Sequence, residues 1–157
     1  MNTEPRRILS LWQPWASLIA LGEKRYETRS WYTRYRGVLY IHAAKHRCSP
    51  STVFNCEMER ILNGKLLGTG YDNLPRGCII ARCELQSCLR TGAEQTGAEQ
   101  MTQKELAFGD HGADRFAWGL HFIERFTWPV YCRGMQGLWT PDAALQAQLD
   151  KAEAIPV

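Results

Sequence analysis

The apolar residues of this chain fall into short segments that glycine and proline separate. The longest apolar stretches, such as residues 15–21, are far below the roughly 18 residues that a membrane-spanning helix needs. No apolar signal region follows the opening residues MNTEPRR. At 157 residues, the length favours one compact domain, because two domains would each have a meagre apolar interior. We therefore expect a single domain over residues 1–157, in the cytoplasm, with no membrane partner.

Turn residues and apolar periodicity predict the order of the elements. Strands are expected at 7–13, 25–31, 37–43, 78–85 and 115–128, the last as one strand or a bent pair, with short closing strands at 129–131 and 137–139. Helices are expected between Pro14 and Gly22, over 51–62 with Asn63-Gly64 as the stop, and over about 142–151. This order predicts an α+β fold, a small mixed β-barrel flanked by short helices.

Net charge and cysteine content bear on three kinds of feature: a nucleic-acid site, disulfide bonds and a metal site. A net charge of +3 permits a nucleic-acid partner, although the pI of about 8.6 is below the value near 9 that would argue for one. The six cysteines include no CxxC pair, and the spacings of cysteines and histidines match no metal motif. We expect reduced thiols, no metal and no cofactor.

One segment is an internal duplication, because the pentapeptide TGAEQ of residues 91–95 is repeated at 96–100. Two short copies cannot form a solenoid, and their polarity is typical of a surface loop. The loop is either a lengthened connection without function or a flap whose Glu94 or Glu99 reaches a ligand.

The densest cluster of unusual chemistry lies in residues 11–31, LWQPWASLIALGEKRYETRSW. Its tryptophans are either buried anchors or the walls of a pocket, since flat aromatic rings can stack a nucleobase. In the pocket interpretation, Gln13 offers donors and acceptors to a base edge, and Arg29 binds a phosphate or carbonyl. Lys24 and Glu27 are then either a solvated ion pair or a proton-transfer pair, because a buried lysine can act as a base near neutral pH.

The order of several segments resembles one known family. LSLWQPWASLIALGEKRYETRSW is followed by YRGVLYIHAAK, LPRGCIIARCEL and FAWGLHFIERFTWPVYCRGMQGLW, which together span about residues 8–140. These segments resemble the activating-signal cointegrator homology (ASCH) domain. The resemblance implies a barrel like that of the pseudouridine synthase and archaeosine transglycosylase (PUA) domains, with a cleft beside the first helix for RNA or a nucleobase.

Small stand-alone members of this family include amidohydrolases that remove the acetyl group of N(4)-acetylcytidine with a lysine, a threonine and a glutamate. The resemblance places that lysine at Lys24. The threonine position corresponds to Glu27, with Thr28 one residue later, and the resemblance places the glutamate at Glu99 or Glu94. This departure leaves the nucleophile open between Thr28 and a water held by Glu27.

Other members with a similar RSW motif are nucleic-acid-binding domains of transcriptional coactivators without established catalysis. Three functions therefore remain open: an N(4)-acylcytidine amidohydrolase, a non-catalytic RNA- or DNA-binding module, and a ribonuclease. The expected partner is a modified cytidine nucleoside or single-stranded RNA.

We predict that one cleft collects the residues of this chemistry. The catalytic candidates are Lys24, Glu27, Thr28 and Glu99, and the substrate-binding candidates are Trp12, Gln13, Trp15, Arg29, Trp31 and Trp118. Basic residues flank the cleft in sequence and are either phosphate contacts or scattered solvated charges; they are Arg6, Arg7, Arg34, Arg36, Lys45 and Arg47.

Overall fold

In the described part of the chain, the fold is a curved sheet with four helices around it. The computed structural model describes residues 5–49, 55–65, 70–92 and 101–153. The strands are β1 (Arg7–Leu11), β2 (Tyr26–Arg29), β3 (Gly37–Ala43), β4 (Cys78–Arg90), β5 (Phe116–Tyr131) and β6 (Leu138–Trp139). The helices are α1 (Trp15–Ala20), α2 (Cys56–Lys65), α3 (Gln103–Ala107) and α4 (Ala143–Glu153), with a 3-10 turn at Tyr71–Asn73.

The six strands form one mixed sheet in the order β2-β5-β4-β3-β1-β6. β1 and β3 run parallel, and each of the other neighbouring pairs is antiparallel. Register shifts along β4 and β5 bend these long strands, as β-bulges do, and the sheet curls into a half-barrel. The predicted α+β barrel class is confirmed.

Apolar side chains cover both faces of the sheet because its strands alternate their side chains. Leu9 and Ile41 belong to the core that packs against α1, whereas Ile8 and Tyr40 belong to the core that packs against α4. A third group joins α1 to α2 and includes Leu18, Leu62 and Phe108. Because α1 and α4 lie on opposite faces, the regions beside them are separated by the full thickness of the sheet.

Several predicted elements differ in their bounds. The strand predicted at 78–85 continues to Arg90, and the predicted strands at 115–128 and 129–131 are one strand, Phe116–Tyr131. Pro129 is compatible with this because the sheet continues past it through Val130, which pairs with Ile79. The strands at 7–13 and 25–31 are shorter than expected, and α3 was not predicted.

The second helix does not end where the sequence suggested. Asn63-Gly64 was expected to stop it, yet α2 continues to Lys65, where the ammonium forms an ion pair with Glu23. Asn55 caps its start, since the Asn55 side chain accepts a hydrogen bond of 2.9 Å from the Met58 amide. Part of the helix predicted over 51–62 lies outside the described residues.

Two further expectations concern cysteines and membranes. All six cysteines are free. None of the helices in the described part of the chain is long and apolar enough to cross a bilayer. Most of the duplicated loop, residues 93–100, lies outside the described residues, and so do Glu94 and Glu99.

Candidate functional site

A cleft of about 690 Å³ opens beside α1, between the edge strand β2, the end of β1 and the segment after α3. Its floor and walls combine aromatic rings with ionisable groups, as ligand sites commonly do. Seven of the predicted site residues line it: Trp12, Trp15, Lys24, Glu27, Thr28, Arg29 and Trp31. The structure thus brings together residues that are up to 19 positions apart, from Trp12 to Trp31.

Lys24 is buried on the cleft floor, with 1% of its surface exposed. Its Nζ donates to the carbonyl oxygen of Tyr26 and lies 3.8 Å from Glu27 Oε2. Burial lowers the pKa of Lys24 below its usual value, because the charged form loses hydration, and the carboxylates of Glu27 and Glu105 oppose this shift only in part. The buried site therefore holds more of the neutral amine, the form that can accept a proton, than an exposed lysine would at the same pH.

Thr28 lies beside the same amine. A methyl group placed on Gly109 would be 3.3 Å from both Lys24 Nζ and Thr28 Oγ1, and 3.0 Å from His111 Nε2. Glycine at this position leaves the space between these three groups open to the cleft. The hydroxyl and the amine thus border one small space, in which a substrate atom or a water molecule can contact both.

Arg29 joins the two ends of the sheet across the cleft. Its Nε lies 3.2 Å from Glu27 Oε1, and its Nη2 donates a 3.0 Å hydrogen bond to the Ser10 carbonyl on β1. The contact to Glu27 is an ion pair without hydrogen-bond geometry, since Arg29 Nε has no hydrogen-bond partner among the described residues. Arg29 thus fixes both the carboxylate and the width of the cleft.

The tryptophans occupy different depths. Trp12 is 49% exposed and its ring lies 4.3 Å from the His46 ring, centroid to centroid, while Trp31 packs edge-on at 4.6 Å against Trp118. Trp118 is fully buried and does not line the cleft; it supports Trp31 from behind. Flat walls of this kind accept a nucleobase by stacking.

Gln13 differs from the expectation that its amide would contact a ligand. It is fully buried, its Oε1 accepts a 3.0 Å hydrogen bond from the Ser17 amide, and its Nε2 donates a 2.7 Å bond to the Pro75 carbonyl. These bonds cap the start of α1 and attach it to the loop before β4. The Gln13 amide points inward because the polar atoms of a buried amide need hydrogen-bond partners, and here the backbone provides them.

Glu105 on α3 is a site residue that the sequence reasoning missed. Its buried carboxylate accepts hydrogen bonds of 2.9–3.1 Å from the amides of Arg25 and Tyr26, the two residues that directly follow Lys24. A signal was available, because Thr102 and Glu105 have the spacing of a capping box and Thr102 caps α3. Glu105, however, bonds the β2 segment rather than its own cap.

The flanking cations are mostly engaged elsewhere. Arg6 pairs with Asp150 at 2.6 Å, Arg7 donates to Thr140, Arg47 lies 3.2 Å from Asp72, and Arg36 donates to backbone carbonyls. Arg34 is exposed, and Lys45 lines a neighbouring cavity. No group of three or more metal-ligating side chains occurs within residues 5–49, 55–65, 70–92 and 101–153.

The sequence has recognisable relatives. The model of the ASCH domain family matches residues 9–131. Activating signal cointegrator 1 of Mus musculus is 45% identical over 82 residues, and that of Homo sapiens is 44% identical, in each case over 52% of this chain. The matched segment is only 14% of the length of either cointegrator.

Solved structures agree in fold. The crystal structure of ASCH from Zymomonas mobilis superposes with a TM-score of 0.57 at 13% identity, covering 94% of each chain. Two single-substitution variants of that protein superpose with TM-scores of 0.57 and 0.56, over 94% and 96% of this chain and 98% of each variant. At such low identity, this likeness concerns the fold alone.

Proposed function

This chain belongs to the ASCH domain family, an RNA-binding PUA-like fold, and from that premise we propose that it hydrolyses the N(4)-acyl amide of acylated cytidine. The substrate is the modified nucleoside or the same base within single-stranded RNA. The base enters the cleft between the tryptophan walls, with the acyl group toward the floor.

One observation carries the proposal: on the floor of an aromatic cleft, a buried lysine with a lowered pKa shares one small space with a hydroxyl and has a carboxylate as its ion-pair partner. Lys24 Nζ donates to the Tyr26 carbonyl and lies 3.8 Å from Glu27 Oε2, and it borders the space in front of Gly109 together with Thr28 Oγ1. This arrangement supplies a base and its proton donor together.

The proposed reaction begins with neutral Lys24, which takes a proton from Thr28 Oγ1 or from a water molecule held by Glu27. The oxygen attacks the acyl carbonyl, and in this proposal the guanidinium charges of Arg29 and Arg115, which line the cleft, stabilise the oxyanion. Lys24 then returns the proton to the exocyclic nitrogen as the C–N bond breaks. Attack by water yields cytidine and the carboxylic acid directly; attack by Thr28 yields an ester that a water molecule hydrolyses.

The test compares wild type with Lys24→Ala, Thr28→Val and Thr28→Ser on N(4)-acetylcytidine, with EDTA present. We expect Lys24→Ala to lower kcat/KM by about 10²- to 10⁴-fold, the usual worth of a general base. A threonine nucleophile predicts that Thr28→Val is inactive and Thr28→Ser partly active, whereas attack by water predicts that Thr28→Val stays active. Wild-type protein that releases no cytidine would refute the proposal.

A second candidate, a non-catalytic nucleic-acid reader, is favoured by the 44–45% identity to the cointegrator segment. It uses the same tryptophan walls without turnover. Retained RNA binding by wild type, with neither cytidine release nor shortened RNA, would select this reader over both the amidohydrolase and a ribonuclease.

A further inference from the structure

A second cavity of about 840 Å³ adjoins the cleft, and we name it the side chamber. It shares Ser10, Trp12, Arg29 and Trp31 with the cleft and is completed by residues of β3 and of the loop after β5. Because the same four residues line both cavities, a strand whose base lies in the cleft has the side chamber directly beside it, past Trp12 and Trp31. From this adjacency we propose that the side chamber holds the neighbouring nucleotide and its phosphate, so that the preferred substrate is a single-stranded RNA rather than a free nucleoside.

The charges of the two cavities differ in the way that this proposal requires. The cleft mixes cations with the carboxylates of Glu27 and Asp110, which would repel a phosphate. The side chamber is lined by Arg29, Lys45 and Arg133, and its described lining contains no carboxylate. A neutral base therefore suits the cleft, and a phosphate suits the side chamber.

Two of these cations are available to a ligand. Lys45 and Arg133 are exposed, and neither forms an ion pair or a hydrogen bond with any residue that the structure describes. This distinguishes them from Arg6, Arg7, Arg36 and Arg47, whose side chains already have protein partners. The half-exposed ring of Trp12 lies between them and the cleft, which provides the combination of stacking and cations that single-strand binders use.

The side chamber is also held in shape. His42 is buried, with Nδ1 3.1 Å from Ser10 Oγ and Nε2 3.1 Å from the Cys132 carbonyl. A Cβ at Gly134 would lie 2.8 Å from His42 Nδ1, so glycine lets the loop that carries Arg133 approach this closely. Burial lowers the pKa of His42, which favours the neutral ring. The positive charge that faces a phosphate then comes from Lys45 and Arg133. A preformed chamber reduces the entropy lost on binding.

The catalytic test rests on the proposed function, so it is paired with a binding measurement that does not. Three substrates are compared: N(4)-acetylcytidine, its 5′-monophosphate, and a short RNA with N(4)-acetylcytidine at its centre. The double variant Lys45→Gln/Arg133→Gln is matched by Arg125→Gln/Lys151→Gln, which removes two exposed positive charges outside both cavities. Equal melting temperatures establish that all proteins are folded.

We expect wild type and the control to have a lower KM for the RNA than for the nucleoside. In the double variant the KM for the RNA should rise by up to about tenfold, because exposed cations contribute modestly to binding. Its KM for the nucleoside should stay the same. For an unmodified RNA, the salt dependence of log Kd should fall by about 0.7 per cation removed.

Equal KM for RNA and nucleoside in wild type would overturn the inference, as would equal losses in the double variant and the control. If the KM for the 5′-monophosphate is already as low as the KM for the RNA, the side chamber binds a terminal phosphate, and the proposal that it holds a neighbouring nucleotide of the strand is wrong. A further outcome is that wild type binds RNA in a salt-dependent way that only the double variant weakens, and yet releases no cytidine. That result would support RNA binding in the side chamber and would refute the amidohydrolase.

Discussion

At the scale of single residues, Lys24 sets the character of the site, because its amine is both buried and reactive. Burial that lowers a lysine pKa also lowers stability, since the unfolded chain binds a proton that the folded chain does not. The folded state therefore loses stability as pH falls from the ordinary lysine value of 10.5 toward the lowered pKa. The same residue is thus expected to serve function at the expense of the fold.

Replacing this amine should separate its two effects. We expect Lys24→Met to abolish cytidine release and to stabilise the protein by about 1 kcal/mol, since an apolar side chain of similar size tolerates burial and Glu27 keeps Arg29 as a partner. Urea titration at neutral pH measures the free energy of unfolding. A variant less stable than wild type would contradict this account of the lysine.

The pH dependence of catalysis should follow the same amine. Neutral Lys24 is the active base, so kcat/KM should rise with pH and reach its plateau below the ordinary lysine pKa of 10.5. Glu27 raises the pKa of Lys24, so Glu27→Gln should move the midpoint of the profile to lower pH. An unchanged midpoint would show that another group titrates; a shift to higher pH would give the carboxylate the opposite role.

At the scale of elements, the short helix α3 positions the site through one side chain. Glu105 binds the amides of Arg25 and Tyr26 on either side of the Lys24–β2 junction. In Glu105→Gln an amide oxygen in the Oε1 position can still accept from Arg25 and Tyr26, but the NH₂ group then takes the Oε2 position and faces the Arg25 N–H, which is itself a donor. We expect a loss of about 1.5–3 kcal/mol in the free energy of unfolding, the usual worth of hydrogen bonds to a charged group.

Glu59→Gln is the matched control, because Glu59 is exposed on α2. Its unfolding free energy should stay within about 0.5 kcal/mol of wild type. If Glu105→Gln were equally harmless, α3 would not hold the lysine segment.

The sequence predicts the elements best where local pattern and tertiary burial agree. β3 has its predicted bounds because Gly37 begins a strand whose residues from Val38 onward are buried. Register was harder to predict, since the bend in β5 depends on its pairing with β4 rather than on its own residues. The same limit applies to the site: residues 11–31 identified the cleft, but the inward role of Gln13 and the contribution of Glu105 come from contacts with distant residues.

At the scale of the whole molecule, the sheet separates the cleft from a stability face. α4 packs on the side away from α1, where Leu149 is fully buried among Ile8, Val38 and Phe126. Ion pairs join this helix to the body of the sheet, from Arg6 to Asp150 and from Arg82 to Glu153. Changes on this face should therefore alter stability without altering the cleft.

Leu149→Ala tests this separation. We expect a loss of about 2–5 kcal/mol from the cavity that it leaves, with KM for the nucleoside unchanged at a temperature where the variant remains folded. Leu89→Ala, at a position that is 40% exposed on β4, should cost less than about 1 kcal/mol in a chemical denaturation curve. A raised KM in the folded Leu149 variant would mean that the two faces are coupled.

The unequal depth of the tryptophans gives the protein an optical property. Trp12 is half exposed on the cleft wall, whereas Trp118 is buried behind Trp31. A base that enters the cleft therefore changes the surroundings of the Trp12 ring and leaves those of the Trp118 ring unchanged. Indole emission shifts to shorter wavelength when water is displaced, and a stacked base quenches it. Titration with cytidine should therefore change the intrinsic fluorescence of wild type. In Trp12→Phe the part of that signal that comes from Trp12 should vanish, while Trp15 and Trp31 keep theirs and calorimetry still detects binding, so the molecule can report the occupancy of its own cleft without any label.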